Sequence, residues 1–223
     1  MRWVTRRLVI FDCDGVLVDS EGISNEVLAA ALSALGLPIS GGEAHDAYRG
    51  MFLTEIVADA ERRLGAALPD DFLERFEHAR EDAFRARLEP VPGAAEAVQA
   101  VVAMGCEVCV ASQGRLSKTE LTLSLTGLRD LFGPDALFSA HSVERGKPAP
   151  DLFLHAAAAM GAEPQECVVV EDTMIGVQGA LAAGMRAIAY VPDGDADAFH
   201  AAGVETVGAL EELPGVLAGS GSL

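Results

Sequence analysis

Two aspartates one residue apart, Asp12 and Asp14, stand in "VIFDCDGVLVDSE", where an apolar run gives way to a glycine. Carboxylates at alternate positions of an extended chain point to the same side. Side by side they repel each other and resist leaving water unless a cation sits beside them. The spacing therefore poses a metal question that other residues must help answer. Ser112 and Gln113 follow "CEVCVA", Lys147 precedes a proline in "ERGKPAPD", and Glu171 and Asp172 close "CVVVED", with Gly176 just beyond. The set holds carboxylates, a hydroxyl, an ammonium group and glycine-lined backbone amides. Mg2+ takes oxygen ligands and keeps several waters. A phosphate takes N–H donors, a hydroxyl and a cation. A carboxylate can attack phosphorus and form an aspartyl-phosphate. The combination is that of phosphoryl transfer.

Each element has an ordinary reading when taken alone. D-x-D-G also occurs in calcium loops, although here no ligand ladder ends in Glu and the preceding run is a strand rather than a helix. Ser112 could cap a helix, Lys147 could be a solvated surface residue, and Glu171-Asp172 could complement a helix dipole. The order of the signals along the chain selects the chemical reading.

That order follows from the elements. Short runs rich in Val, Ile and Cys, at 7–12, 106–112, 136–140, 166–172 and 185–191, predict strands. Helical patterns at 93–105, 115–127, 150–161 and 174–184 lie among them. Strands alternating with helices predict an α/β fold with a Rossmann-like parallel sheet covered on both faces. In such sheets ligands bind beyond the C-terminal strand ends, where every candidate residue falls. From about Ser24 to Leu88 the rhythm changes to helix after helix, in "NEVLAAALSALG", "LTEIVADAERRLG" and "PDDFLERFEHAREDAFRARL". The expected organisation is an α/β core of residues 1–20 and 91–223, with an all-helical cap domain, 21–90, inserted between hinges near "DSEGIS" and "LEPVPG".

Composition narrows the partners. The chain has 223 residues and carries 16 Lys plus Arg against 34 Asp plus Glu, a net charge of −18 that disfavours nucleic acid and anionic membrane surfaces. No apolar run reaches the roughly 20 residues of a membrane span. The apolar part of "MRWVTRRLVIFD" is too short for a signal peptide and leads into the aspartates, so a cytoplasmic protein is expected. The expected partner is a small phosphate ester, with no nucleic acid and no membrane, and the chain is expected as a monomer or weak dimer. Cys106 and Cys109 form a lone C-x-x-C whose members alternate across a strand. They, Cys13 and Cys167 are read as small buried apolar residues.

Taken together, "DCDGVLVDSE", Ser112, Lys147 in "GKPAPDLF" and "VVVEDTMIGVQGA" resemble the four motifs of the haloacid-dehalogenase superfamily, in the branch with a helical cap after the first strand. The resemblance covers nearly the whole chain. It implies that Asp12 is the nucleophile and that Asp14 is the general acid and then the base that activates water. It implies Mg2+ held by Asp12, the Asp14 backbone carbonyl and Asp172, with Glu171 as ligand or water-mediated neighbour. It further implies phosphate binding by Ser112, Lys147 and the backbone near Gln113. Dehalogenase members lack the second aspartate and need no metal. Phosphonate-cleaving members use a cap lysine, and residues 24–88 contain none. The histidine and cap lysine usual in β-phosphoglucomutase-like members are missing too, with Ser24 in the first place. The resemblance therefore implies a hydrolase like the bacterial phosphatases of sugar and sugar-acid phosphates, 6-phosphogluconate among them. A phosphomutase and a non-catalytic binding protein on the same fold are the alternatives. Substrate choice is expected from Arg49 and Arg80 in the cap, with help from Arg115.

Overall fold

The computed structural model describes residues 7–48, 51–192 and 194–219. The chain divides into two compact units, one of Met1–Val18 and Pro90–Leu223, the other of Asp19–Glu89.

The first unit is built on a six-stranded sheet in the order β3-β2-β1-β4-β5-β6. Its strands are β1 (Leu8–Phe11), β2 (Glu107–Ser112), β3 (Leu137–Ser139), β4 (Cys167–Glu171), β5 (Arg186–Tyr190) and β6 (Glu205–Val207), and every pairing is parallel. β1 and β4 are buried along their whole length, with no polar alternation. A strand reads this way when both sheet faces are covered. Helices α5 (Ala94–Ala103), α6 (Leu116–Leu125), α7 (Asp151–Ala159), α8 (Met174–Ala182), α9 (Asp197–Ala201) and α10 (Leu213–Gly219) complete the unit. Of these, α7 packs against β1, β2 and β3, and α8 against β4 and β5.

The chain leaves β1 for β2 on one side and returns to β4 on the other. Strand order reverses at β1, which opens a crevice beyond its C-terminal end. Phe11 pairs with both Val110 and Val170, so the ends of β1, β2 and β4 lie level there.

The second unit holds α1 (Glu21–Ala34), α2 (Gly41–Tyr48), α3 (Leu53–Leu64) and α4 (Phe72–Arg87). Leu28, Leu32, Tyr48, Ile56, Phe72 and Phe76 form its core. Each such side chain contributes about 1.5–3 kcal/mol by leaving water. Helix α2 was not expected. A reciprocal cap starts it, with Glu43 Oε2 accepting from the Ser40 N–H at 2.8 Å and Ser40 Oγ accepting from the Glu43 N–H at 3.2 Å. Strand β6 was also not expected; at three residues it offers no readable alternation.

Three cysteines are buried, but Cys106 sits just before β2 and is only half-buried, and all four are free thiols. No helix among the described residues is long and apolar enough to cross a membrane.

Candidate active site

Asp12 is the first residue past β1. Its N–H donates to Val170 O at 2.9 Å, which extends the ladder from β1 to β4 by one residue. The chain then doubles back, with the N–H groups of Leu17 and Val18 both donating to Cys13 O and that of Gly15 to Val18 O. Gly15 has φ +81°, and a Cβ at that position would fall 2.5 Å from Asp172 Oδ2. Only glycine suits both the left-handed turn and so close a carboxylate.

Lys147 reaches this point from the loop before α7. Its ammonium donates to Asp12 Oδ1 and, at 2.7 Å, to Glu171 Oε1, and lies 5.2 Å from the centre of the Phe153 ring. Asp12 and Lys147 are each 6% exposed and Glu171 is 1% exposed, so the three charges meet away from water. The Gln113 side chain steadies the lysine by accepting from its N–H at 3.1 Å and donating to its carbonyl at 3.5 Å. Glu171 Oε2 accepts from the Thr173 N–H at 2.8 Å and hydroxyl at 2.7 Å. Thr173 in turn caps α8 by accepting from the Gly176 N–H. A Cβ on Gly176 would land 1.8 Å from Glu171 Oε1, so the glycine makes room for the carboxylate against the helix N-terminus.

Ser112 is fully buried at the end of β2, and its Oγ accepts from the Gly114 N–H at 3.0 Å. Ser139 fastens the same loop by donating to Gly114 O at 2.7 Å. From the first turn of α6, Lys118 donates to Asp14 Oδ1. Lys118 escaped the sequence reading, although one signal was present. The chain holds only two lysines, Lys118 and Lys147, and both end on these aspartates while every other permanent cation is an arginine.

Burial pushes Asp12 up to about 7, with Glu171 and Asp14 adding to the rise and Lys147 opposing it. Burial works against the charge of Lys147, yet the carboxylates of Asp12 and Glu171 hold its pKa above the usual lysine value. Burial also raises the Cys13 thiol well above its ordinary range, which makes it inert.

The donor set bears on a cation. Asp12, Asp14, Glu171 and Asp172 bring four carboxyl groups against two ammonium groups, so that with all four ionised two negative charges are left over. Among the described residues no group of three or more His, Cys, Asp or Glu side chains forms a metal cage. A hard divalent ion that keeps its waters needs only one or two carboxylates. Both oxygens of Glu171 already accept from Lys147 and Thr173, whereas Asp172 lies against the Gly15 backbone.

Arg115 is exposed at the start of α6. Arg80, on α4, lies 5.0 Å from the centre of the Phe76 ring and 6.0 Å from that of Phe84. Arg49 is outside the described residues.

Comparison with known proteins matches residues 6–184 to the family model of haloacid dehalogenase-like hydrolases. The chain is 32% identical over 209 residues to the 6-phosphogluconate phosphatase of Escherichia coli K12, covering 92% of each chain. It is 33% identical over 183 residues to hexitol phosphatase B of the same organism, covering 80% of this chain and 81% of that one. A HAD family hydrolase from Deinococcus radiodurans, solved with bound phosphate and sodium, superposes with a TM-score of 0.79 at 31% identity, covering 97% of this chain and 96% of that one. A strand-end aspartate pair, a buried lysine and an acidic pair thus stand on the fold, and in the sequence setting, of one family: the chain belongs to the haloacid dehalogenase-like hydrolases.

Proposed function

We propose that this phosphoric monoester hydrolase cleaves sugar or sugar-acid phosphates with Mg2+, through an aspartyl-phosphate on Asp12. The observation that carries the reading is the buried contact of Asp12 with Lys147, itself held by Glu171. A carboxylate attacking a phosphate dianion meets strong repulsion, and a fixed ammonium group at the point of attack offsets it.

In this reading an Asp12 oxygen attacks phosphorus while the bond to the leaving alcohol breaks and Asp14 gives that alcohol its proton. Asp14 then takes a proton from water, whose oxygen attacks phosphorus and breaks the bond to Asp12. Inorganic phosphate leaves, and both aspartates return to their starting state. Ser112 and Lys147 hold phosphate oxygens, and Gln113 keeps Lys147 in place. Asp12, the Asp14 carbonyl and Asp172 would hold Mg2+, and Glu171 serves as the support of Lys147. The cation supplies charge neutralisation at the phosphoryl oxygens. The similarity to phosphatases of 6-phosphogluconate and hexitol phosphates supports the substrate class.

The test is phosphate release from 6-phosphogluconate, hexitol phosphates and hexose phosphates, with Mg2+ and with chelator. Release that needs the cation and is lost in Asp12→Asn is expected. Conversion of β-glucose 1-phosphate to glucose 6-phosphate, primed by a trace of the 1,6-bisphosphate and without free phosphate, would make the protein a mutase. Neither release nor isomer from any ester would leave a binding protein.

A further inference from the structure

We infer that Lys118 is the positioning residue of Asp14, aiming its carboxylate for proton transfer to the leaving alcohol and then from water. The inference rests on the aspartyl-phosphate reading and adds to it a residue outside the four motifs.

A carboxylate in a partly exposed turn can rotate among several orientations, and the Asp14 side chain is 22% exposed, whereas a general acid must point at one oxygen to within a few tenths of an ångström. The turn at Asp14 is fixed in its backbone, but backbone bonds do not fix the side chain. Lys118 does so by donating to Oδ1, and the proton in transit is then carried on Oδ2. The lysine is itself well placed for this. It lies in the first turn of α6, where its N–H donates to Arg115 O at 3.0 Å, and its side chain is only 15% exposed. Its stem crosses Gly114, where a Cβ would approach Lys118 Cδ to 3.2 Å and Ser112 Oγ to 3.3 Å. Glycine at 114 thus keeps open the path that brings the ammonium to Asp14, and Ser112 and Ser139 hold that glycine in place. The lysine count points the same way. Of 16 lysines and arginines only two are lysine, and both touch the two aspartates of the first motif. A compact ammonium on a flexible stem fits beside one carboxylate oxygen, where a planar guanidinium would span both.

Placement of an acid is read by leaving-group dependence. An alkyl ester needs its departing oxygen protonated, while p-nitrophenolate leaves without help. The experiment compares kcat/KM for 6-phosphogluconate and p-nitrophenyl phosphate, at fixed Mg2+, in wild type, Lys118→Met, Lys118→Arg and Asp14→Asn. Lys118→Met should lose about 100-fold or more on 6-phosphogluconate and less than about tenfold on p-nitrophenyl phosphate, within the range of general acid catalysis. Lys118→Arg should restore part of the loss on the alkyl ester alone. Because both esters are read on one preparation, partial unfolding lowers both rates and leaves their ratio unchanged. Equal losses on the two esters, or no loss, would overturn the role of Lys118. Should Asp14→Asn itself lose equally on both, the acid–base reading beneath the inference falls. Should Asp14→Asn show the gap and Lys118→Met not, the inference alone falls.

Discussion

The two units treat charge in opposite ways. In the helical unit the ion pairs Arg62–Asp59, Arg75–Asp71 and Arg87–Glu26 lie at the surface, around an apolar core. Pairs like these contribute about 0–1 kcal/mol each. In the α/β unit Lys147 bridges Asp12 and Glu171 where almost no water reaches. Taking such charges out of water costs several kcal/mol per ion, and attraction recovers this only when every partner is in place. A fold that can bury apolar groups gains little from burying ions. Where it does so, the cause is chemistry, and the strongly displaced Asp12 pKa marks the place.

The largest expected effect tests that contrast directly. Asp12→Asn should lower turnover by about 1,000-fold or more, in the range seen when a nucleophile is removed. The melting temperature should hold or rise, because an amide of the same size replaces a carboxylate that burial disfavours. Calorimetry beside the phosphate assay checks both halves, and a variant that keeps turnover would remove Asp12 from the chemistry.

Lys147→Met comes next. The methionine fills the space over Phe153 but leaves Asp12 and Glu171 facing each other without their ammonium group. Breaking a buried pair in this way costs about 3–5 kcal/mol. Urea unfolding should show that loss, whereas Arg75→Ala in the helical unit should change stability by less than about 1 kcal/mol. Similar losses in the two variants would erase the distinction between the units.

The third effect is the response to Mg2+. Folded Asp12 keeps its proton up to about 7, whereas in the unfolded chain it ionises near 3.8. The folded state therefore binds the extra proton through that window, and its stability falls as pH rises across it. A cation must displace the proton at about pH 5.5 but meets a carboxylate at about pH 8. The rise in melting temperature on adding Mg2+ should be several degrees larger at the higher pH. An equal rise at both would mean that the ion does not bind at Asp12.

The same contrast explains what could be read from the sequence. The parallel sheet was legible because the apolar runs "LVIF" in β1 and "CVVV" in β4 are buried along their whole length, and each leads into a residue with chemical character. β6 was not, since Glu205–Val207 is an edge strand of three residues beside β5, steadied by the Arg186–Glu205 ion pair. Helix α2 carried its capping signal in "SGGE", but two glycines at its start lowered its apparent propensity. Lys118 was hidden for another reason. Its role depends on α6 bringing residue 118 beside residue 14, a pairing across 104 positions that no local spacing encodes. The glycines at 15 and 114 are legible as turn or loop residues and that at 176 as a small residue opening a helix, while the carboxylates and the lysine stem they make room for are known only from the fold.

The smallest expected effect concerns Arg80, where the contrast is most open to being broken. The sequence suggests a substrate-reading arginine. In the structure its guanidinium lies over Phe76 and Phe84, two buried rings of the helical unit. A cation over an aromatic face contributes about 0.5–1 kcal/mol at partly exposed sites, and the arginine stem adds apolar cover. If the helical unit uses its charges for stability alone, Arg80→Ala should lower stability by about 1 kcal/mol. Arg80→Met, which keeps the stem, should regain part of that. The ratio of kcat/KM for 6-phosphogluconate to that for a hexitol phosphate should stay unchanged in both. The first ester carries a carboxylate that an arginine could hold and the second does not, so the ratio isolates recognition from turnover. A fall in that ratio for both variants, with melting temperature held in Arg80→Met, would make Arg80 a reader of the substrate. The helical unit would then also place a charge for function, and burial of charge would no longer separate the two units.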